Sequence, residues 1–328
     1  MVVSDAFTAG ERQLLQALQI DGRAPFRVLA EVLGVSDQTV ARRWARLRES
    51  GRARVVGLTA PLRLGRASWM VRVRTHPDAA LDVATAIARR EDTSWVHITS
   101  GGTEIVCSTQ TDRVLGADSL LLGVLPRSRR VVEVTAHQLL HVFHGGTDSP
   151  LLKWGALDEA QVAALVAQRP PVEVTDDVVV LDDLDRALVR LLAVDGRARV
   201  EDLSAHTGVP ASTVRRRLDA LRRSGALYFD VEFDSRRFDT GAPTLVWAKV
   251  APRDLDAAGE GLAELPATAF AAAVTGPSNL YAVLTTQTSA ELYRLLSGPV
   301  AELPGLTGLE SSPVLRNVKA GAPLLTMR

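Results

Sequence analysis

One segment of this chain occurs twice. Asp21-Gly22-Arg23-Ala24, Gly34-Val35, Thr39-Val40, Arg42-Arg43, Leu47-Arg48 and Ser50-Gly51 return 174 residues later. The second set is Asp195-Gly196-Arg197-Ala198, Gly208-Val209, Thr213-Val214, Arg216-Arg217, Leu221-Arg222 and Ser224-Gly225. Residues 21–51 and 195–225 align without a gap, with 15 of 31 positions identical. Whatever fold one copy takes, the chain must therefore hold two of them. At 328 residues it also exceeds what a single core usually supports, so several domains are expected.

Each copy reads as three short helices. Thr8 and Glu11 form a capping box, and Leu14, Leu15 and Leu18 follow at helical spacing over about residues 9–19. Asp21-Gly22 stops that helix. Pro25 suits the first turn of a second, with Val28, Leu29, Val32 and Leu33 as its apolar residues, and Gly34 ends it. Ser36 caps a third helix, 37–49, whose inner face is Val40, Trp44 and Leu47. The second copy repeats the plan, and its third helix, 211–223, carries Val214, Leu218 and Leu221. Three helices broken by Gly-containing turns make a helix-turn-helix module.

A strand-rich segment follows each module. Trp69–Thr75 alternates as a half-buried strand should. A helix over 80–89, strands at 95–99 and 104–109, a helix over 111–123 and a long strand over 131–143 come next. The second half gives a strand at 244–250, a helix over 254–264, strands at 269–275 and 279–286, a helix over 289–297 and a final strand over 306–319. That order, βαββαβ twice, is ferredoxin-like. The expected fold is α+β: two winged or three-helix helix-turn-helix modules and two ferredoxin-like (RAM-type) domains in tandem. The boundaries are 1–58, 59–145, a connector 146–181 with a helix over 158–168, 182–234 and 235–328.

The formal net charge is zero, so the chain is no indiscriminate polyanion binder, but its arginines are concentrated. Residues 36–54 hold six Arg against two acids, and residues 210–225 hold five against one. With Val40, Trp44 and Leu47 inward, the third helix presents Gln38, Thr39, Arg42, Arg43 and Arg46. Its counterpart presents Ser212, Thr213, Arg215, Arg216 and Arg217. A recognition helix needs this layout, since Arg pairs bidentately with guanine, Gln with adenine, and flanking Arg neutralise phosphates. A fused pair of such modules lets one chain imitate a two-fold DNA-binding dimer. The expected partner is double-stranded DNA, with non-identical half-sites because the two helices differ.

The pattern Leu15, Leu18, Asp21-Gly22-Arg23, Leu29-Ala30, Gly34-Val35-Ser36, Val40, Arg42-Arg43, Leu47, Gly51 resembles the helix-turn-helix of the Lrp/AsnC (feast/famine) transcription regulators. The second copy does so as well, through Leu184-Asp185-Arg186, Leu192, Asp195-Gly196-Arg197 and Arg216-Arg217-Leu218. The resemblance implies βαββαβ effector domains that self-associate, and a small effector such as an amino acid or related metabolite bound at their interfaces. Arg23 and Arg197, which recur within it, are grouped with the DNA-binding residues. The family's Thr-Gly-x-x-Asp signature appears altered, as Ser100-Gly101-Gly102-Thr103-Glu104 and Thr275-Gly276-Pro277-Ser278-Asn279. Gly101, Gly102, Glu104, Gly276 and Asn279 are the ligand-binding candidates, and tight turns between strands are the plainer reading of these glycines.

Other chemistry finds little support. The single Cys107 excludes an intrachain disulfide and a four-Cys zinc site. His137, His141 and His144 would share a face only on a helix, whereas Val131-Val132-Glu133-Val134 before them reads as a strand. No nucleophile–base–acid set stands out, so no catalytic residue, metal or cofactor is expected. The N-terminal residues show no signal peptide and no apolar run suits a membrane span, so a cytoplasmic, nucleoid-associated protein is expected. Two alternatives share the fold: a siroheme-decarboxylase-like tetrapyrrole enzyme, and a regulator whose sheets serve assembly without binding a ligand.

Overall fold

The computed structural model describes residues 7–111, 119–146, 155–173, 177–233, 241 and 243–322. The chain first forms α1 (Ala9–Ile20), α2 (Phe26–Leu33), α3 (Asp37–Glu49) and β1 (Ala53–Thr59). Next come β2 (Ala67–Thr75), α4 (Ala80–Ala88), β3 (Thr93–Thr99), β4 (Glu104–Thr111) and β5 (Val131–His144). The second copy begins after α5 (Glu159–Gln168), with α6 (Asp183–Val194), α7 (Val200–Thr207), α8 (Ala211–Arg223) and β6 (Leu227–Phe233). The chain continues with β7 (Pro243–Val250), α9 (Leu255–Glu264), β8 (Thr268–Val274), β9 (Leu280–Thr285), α10 (Ser289–Ser297), β10 (Leu306–Pro313) and β11 (Arg316–Lys319). Like gathers with like: Met1–Leu64 joins Gly146–Phe238 in one unit, and Gly65–Gly145 joins Asp239–Arg328 in the other.

Local signals set the helices of the first unit. The Thr8 hydroxyl accepts from the Glu11 N–H while the Glu11 carboxylate accepts from the Thr8 N–H, and Asp182 and Asp185 repeat this capping box on α6. Gly34 and Gly208 end α2 and α7 in the left-handed conformation that favours glycine. Leu14, Leu18, Val40 and Leu47 pack in one core with Leu188, Leu192, Val214 and Leu221. The segment 146–181, expected as a connector, supplies α5, which buries Leu165 in this core. The Gln16 side-chain carbonyl accepts from the N–H groups of Ala156 and Leu157 at 2.8 and 3.0 Å, which ties the start of α5 to α1.

The two modules also share a ribbon that the sequence reading did not foresee. β1 pairs antiparallel with β6, from Ala53 opposite Phe233 to Thr59 opposite Leu227. The central pair is Val56 and Asp230, positions 174 residues apart, so the ribbon obeys the two-fold relation of the repeat.

The second unit carries one nine-stranded sheet, β10-β7-β9-β8-β5-β2-β4-β3-β11, in which β5-β2-β4-β3 and β10-β7-β9-β8 are the two ferredoxin-like halves. β5 is long enough to serve both: Val131 to Gln138 pair with β2, and Leu139 to His144 with β8. The final strand expected over 306–319 is split. β10 pairs with β7 of its own half, and β11 crosses to β3 of the other. Met70 and Val106 pack with Leu245, Trp247 and Tyr281 in a core shared by both halves. Of the helix expected over 111–123, residues 112–118 lie outside the described residues, and Leu120–Val124 forms one π-helical turn capped by Ser119.

Candidate nucleic-acid interface

α3 buries Val40, Trp44 and Leu47, which leaves Gln38, Arg42 and Arg46 exposed and Thr39 and Arg43 half-buried at the margin. Ser36 caps the helix, accepting from the Thr39 N–H at 3.2 Å. α8 buries Val214, Leu218 and Leu221 and exposes Ser212, Arg215 and Arg216, with Thr213 and Arg217 half-buried. Both helices thus carry an arginine face opposite an apolar one.

The two faces differ in their neighbours. Arg215 donates to Glu201 on α7 at 3.1 Å. Arg217 is ion-paired to Asp182 and lies 3.6 Å from Asp185. Hydrogen bonding from the Asp185 backbone holds the Asp182 carboxyl below its ordinary range, whereas burial raises that of Asp185. In α3 the places of Arg215 and Asp219 are taken by Ala41 and Ala45, and Arg46 stands where α8 has Ala220.

Arg23 and Arg197, expected on the DNA face, lie between the modules instead. Arg23 donates to the carbonyls of Gly196 and Ala198 at 2.7 and 3.0 Å, and Arg197 returns the same bonds to Gly22 and Ala24 at 2.7 and 2.9 Å. Burial lowers the pKa of both, that of Arg197 to about 10. The pairing extends outward: Arg222 donates to Asp21 at 2.7 Å, and Arg48 stands 3.8 Å from Asp195. A guanidinium held by both Nη atoms to carbonyls of the opposite module is directed away from a DNA-facing surface. The repeated Asp-Gly-Arg-Ala motif joins the copies. Arg48 and Arg222 belong to the same device, and their recurrence in the aligned repeat was the only sign of it in the sequence.

The ligand-binding candidates lie in the second unit. Gly101 and Gly102 make a left-handed turn after Ser100, itself at φ 51°. Glu104 is buried and occupied: it accepts from Arg72 at 2.6 Å, Ser100 at 2.9 Å and Thr99 at 3.2 Å. Arg72 also holds Glu310 through both Nη atoms and lies 5.1 Å from the centre of the Trp247 ring. Hydrogen bonding to Glu310, then to Glu104, raises the pKa of Arg72 despite its burial. Asn279 uses its amide on the backbone of Val250, accepting at 2.9 Å and donating at 3.0 Å. Gly276, at φ 108°, lies against His137, where a Cβ would fall 2.3 Å from the ring Nδ1. Glu104, Gly276 and Asn279 are thus engaged by the protein, whereas nothing lies within 4 Å of a Cβ at Gly101 or Gly102. His137 is buried, and a bulge between Leu139 and His141 separates it from the exposed His141. Among the described residues no three His, Cys, Asp or Glu side chains are grouped to hold a metal, and no helix is long and apolar enough to cross a membrane.

Comparison with known proteins agrees with this architecture. The AsnC-type helix-turn-helix domain matches residues 10–48 and 181–222, and the Lrp/AsnC ligand binding domain matches 244–324. An uncharacterized HTH-type transcriptional regulator of Pyrococcus abyssi is 31% identical over 140 residues, covering 42% of this chain and 88% of that protein. The chain belongs to the Lrp/AsnC family. HTH-type transcriptional regulator FL11 of Pyrococcus horikoshii is 27% identical over 140 residues, 42% of this chain and 92% of its own length. The crystal structure of the siroheme decarboxylase NirDL superposes with a TM-score of 0.64 over 97% of this chain and 94% of that one. At 14% identity that likeness is one of fold. The two helix-turn-helix matches make this Lrp/AsnC chain a tandem fusion.

Proposed function

We propose that this Lrp/AsnC protein is a sequence-specific, cytoplasmic transcriptional regulator, acting in amino-acid or related metabolism, whose helices 37–49 and 211–223 read two non-identical half-sites. The observation that carries the reading is the reciprocal bonding of Arg23 and Arg197, which pairs the modules while the arginine faces of α3 and α8 stay exposed. Gln38, Thr39, Arg42, Arg43 and Arg46 would contact one half-site, and Ser212, Thr213, Arg215, Arg216 and Arg217 the other. The test is selection of genomic fragments at low and near-physiological salt. A discrete motif surviving the higher salt is expected, with Arg42→Ala/Arg43→Ala weakening binding and flattening its salt dependence by about 0.9 per lost phosphate contact. Salt-labile, motif-free binding would sink the proposal.

For the sheets, the engagement of Glu104 and Asn279 favours assembly over capture of an amino acid. The likeness to NirDL keeps a tetrapyrrole reading in view. One thermal-shift panel of amino acids and siroheme addresses both, because a ligand that binds the folded state raises its apparent stability. No shift is expected, and a shift with siroheme would favour the enzyme.

A further inference from the structure

The symmetric contacts between the modules do not decide which modules pair. The Arg23–Arg197 exchange and the pairs Arg48–Asp195 and Arg222–Asp21 join equivalent residues on the two sides, although Arg222–Asp21 is the closer pair at 2.7 Å against 3.8 Å. A module facing its own counterpart in a second chain would keep all of them. The ribbon is not symmetric in its side chains. At its centre, the position that meets itself under the two-fold relation, stand Val56 and Asp230. Asp230 is buried, and burial followed by the charge of Glu232 pushes its carboxyl up to about 7. Arg54 donates to the opposite Glu232 at 2.7 Å, whereas the equivalent cross-strand pair is Leu58 and Tyr228. Gly57 lets α6 approach closely: a Cβ there would lie 2.9 Å from the Leu192 Cβ. The equivalent place in β6 is Val231.

We infer that Arg54, Gly57, Asp230 and Glu232 select the partner, so that β1 accepts β6 and two β6 strands from different chains do not pair. In a β6–β6 ribbon of the same register, Asp230 would face Asp230 of the second copy. Opposed side chains in such a pair are roughly 5 Å apart, and once both carboxyls are ionised, above about pH 7, their like charges destabilise it, the more so when buried. Val231 would press on Leu192, and Glu232 would lose Arg54. A β1–β1 ribbon sets Val56 against Val56 without harm but loses the Arg54–Glu232 bond, and it leaves two β6 strands with only each other. Refusal at β6 therefore closes the β1 route too.

The test uses full-length chains in a Cys107→Ala background, unfolded and then refolded under mild oxidant at about pH 8.5, where carboxyls at position 230 are ionised and thiols oxidise readily, and at high protein concentration, so that second copies compete. Val56→Cys with Asp230 intact is expected to give only traces of dimer linked through position 56. Val56→Cys/Asp230→Val is expected to raise that dimer roughly tenfold, equivalent to about 1.4 kcal/mol of pairing free energy. The tether between modules is common to both chains, so the ratio reads strand choice alone. Val56→Cys/Asp230→Cys is expected to close within a single chain, since directly opposed strand positions lie within disulfide range. Equal dimer yields with and without Asp230 would overturn the inference. Abundant dimer from Val56→Cys alone, or failure of the double-cysteine chain to close, would do the same. Should Asp230→Val not refold, Asp230→Asn removes the charge at nearly unchanged shape and carries the same expected ratio.

Discussion

Truncating Arg23 strips the carbonyls of the buried Gly196 and the half-buried Ala198 of their donors. Hydrogen bonds from a charged donor contribute about 1.5–3 kcal/mol. Arg23→Ala is therefore expected to lower the unfolding free energy by roughly 2 kcal/mol in urea titrations, and Arg197→Ala by a like amount. Neither variant is expected to change the salt slope of DNA binding; a slope shallower by about 0.9 would return that guanidinium to a phosphate. Asp230 gives a prediction in pH. Its folded pKa stands at about 7 against 3.8 for the free side chain, so the native state keeps a proton that the unfolded chain releases. Its contribution is present below about pH 4 and is lost as pH rises to 7. Asp230→Asn removes that slope. The stability of the variant relative to the native chain is expected to climb, by a kcal/mol or more, between pH 4 and 7. A flat difference across that range would show that Asp230 is not protonated in the folded chain.

Each third helix carries its own contrast between reading and restraint. α8 opposes its arginines with Glu201, Asp182 and Asp185, whereas in the first copy Arg27 and Thr8 stand at the places of Glu201 and Asp182, and Ala41 at that of Arg215. Asp182→Asn keeps a competent N-cap for α6 and removes the nearer of the two carboxylate partners of Arg217. A few-fold gain in DNA affinity is expected in titrations at low salt, fading as salt rises. Unchanged affinity would show that Arg217 takes no part in binding. The helices themselves were legible in the sequence, because Thr8, Ser36, Asp182, Gly34 and Gly208 act within a turn of where they stand. β1 and β6 were not, since Ala53–Thr59 and Leu227–Phe233 are strands only by virtue of each other. The end of the chain shows the same limit: residues 306–319 have one strand's pattern, but they form the two opposite edge strands of the sheet and break between Pro313 and Arg316.

At the scale of the molecule, a single chain holds both modules of a two-fold reader. On the proposed function one chain is expected per two-half-site duplex in quantitative titrations, and a requirement for two chains would mean that the second module does not read DNA. The repeat, the arginine faces and the βαββαβ order came from local spacing, which the sequence states directly. Arg23 and Arg197 marked the limit of that method. A recurring arginine beside a helix-turn-helix looks like a DNA contact until the opposite copy is present to offer its carbonyls. Glu104 and Asn279 likewise hold partners that the sequence did not show, because Arg72 and Val250 reach them from other parts of the chain. The sequence by itself determined that there are two like halves, which helices each would form and which faces would be charged, since these depend on neighbours within a few residues. Only the tertiary structure decided which arginines are spent on pairing, which strands meet and which polar groups are already satisfied, because hydrogen bonds and burial depend on groups brought together from far along the chain.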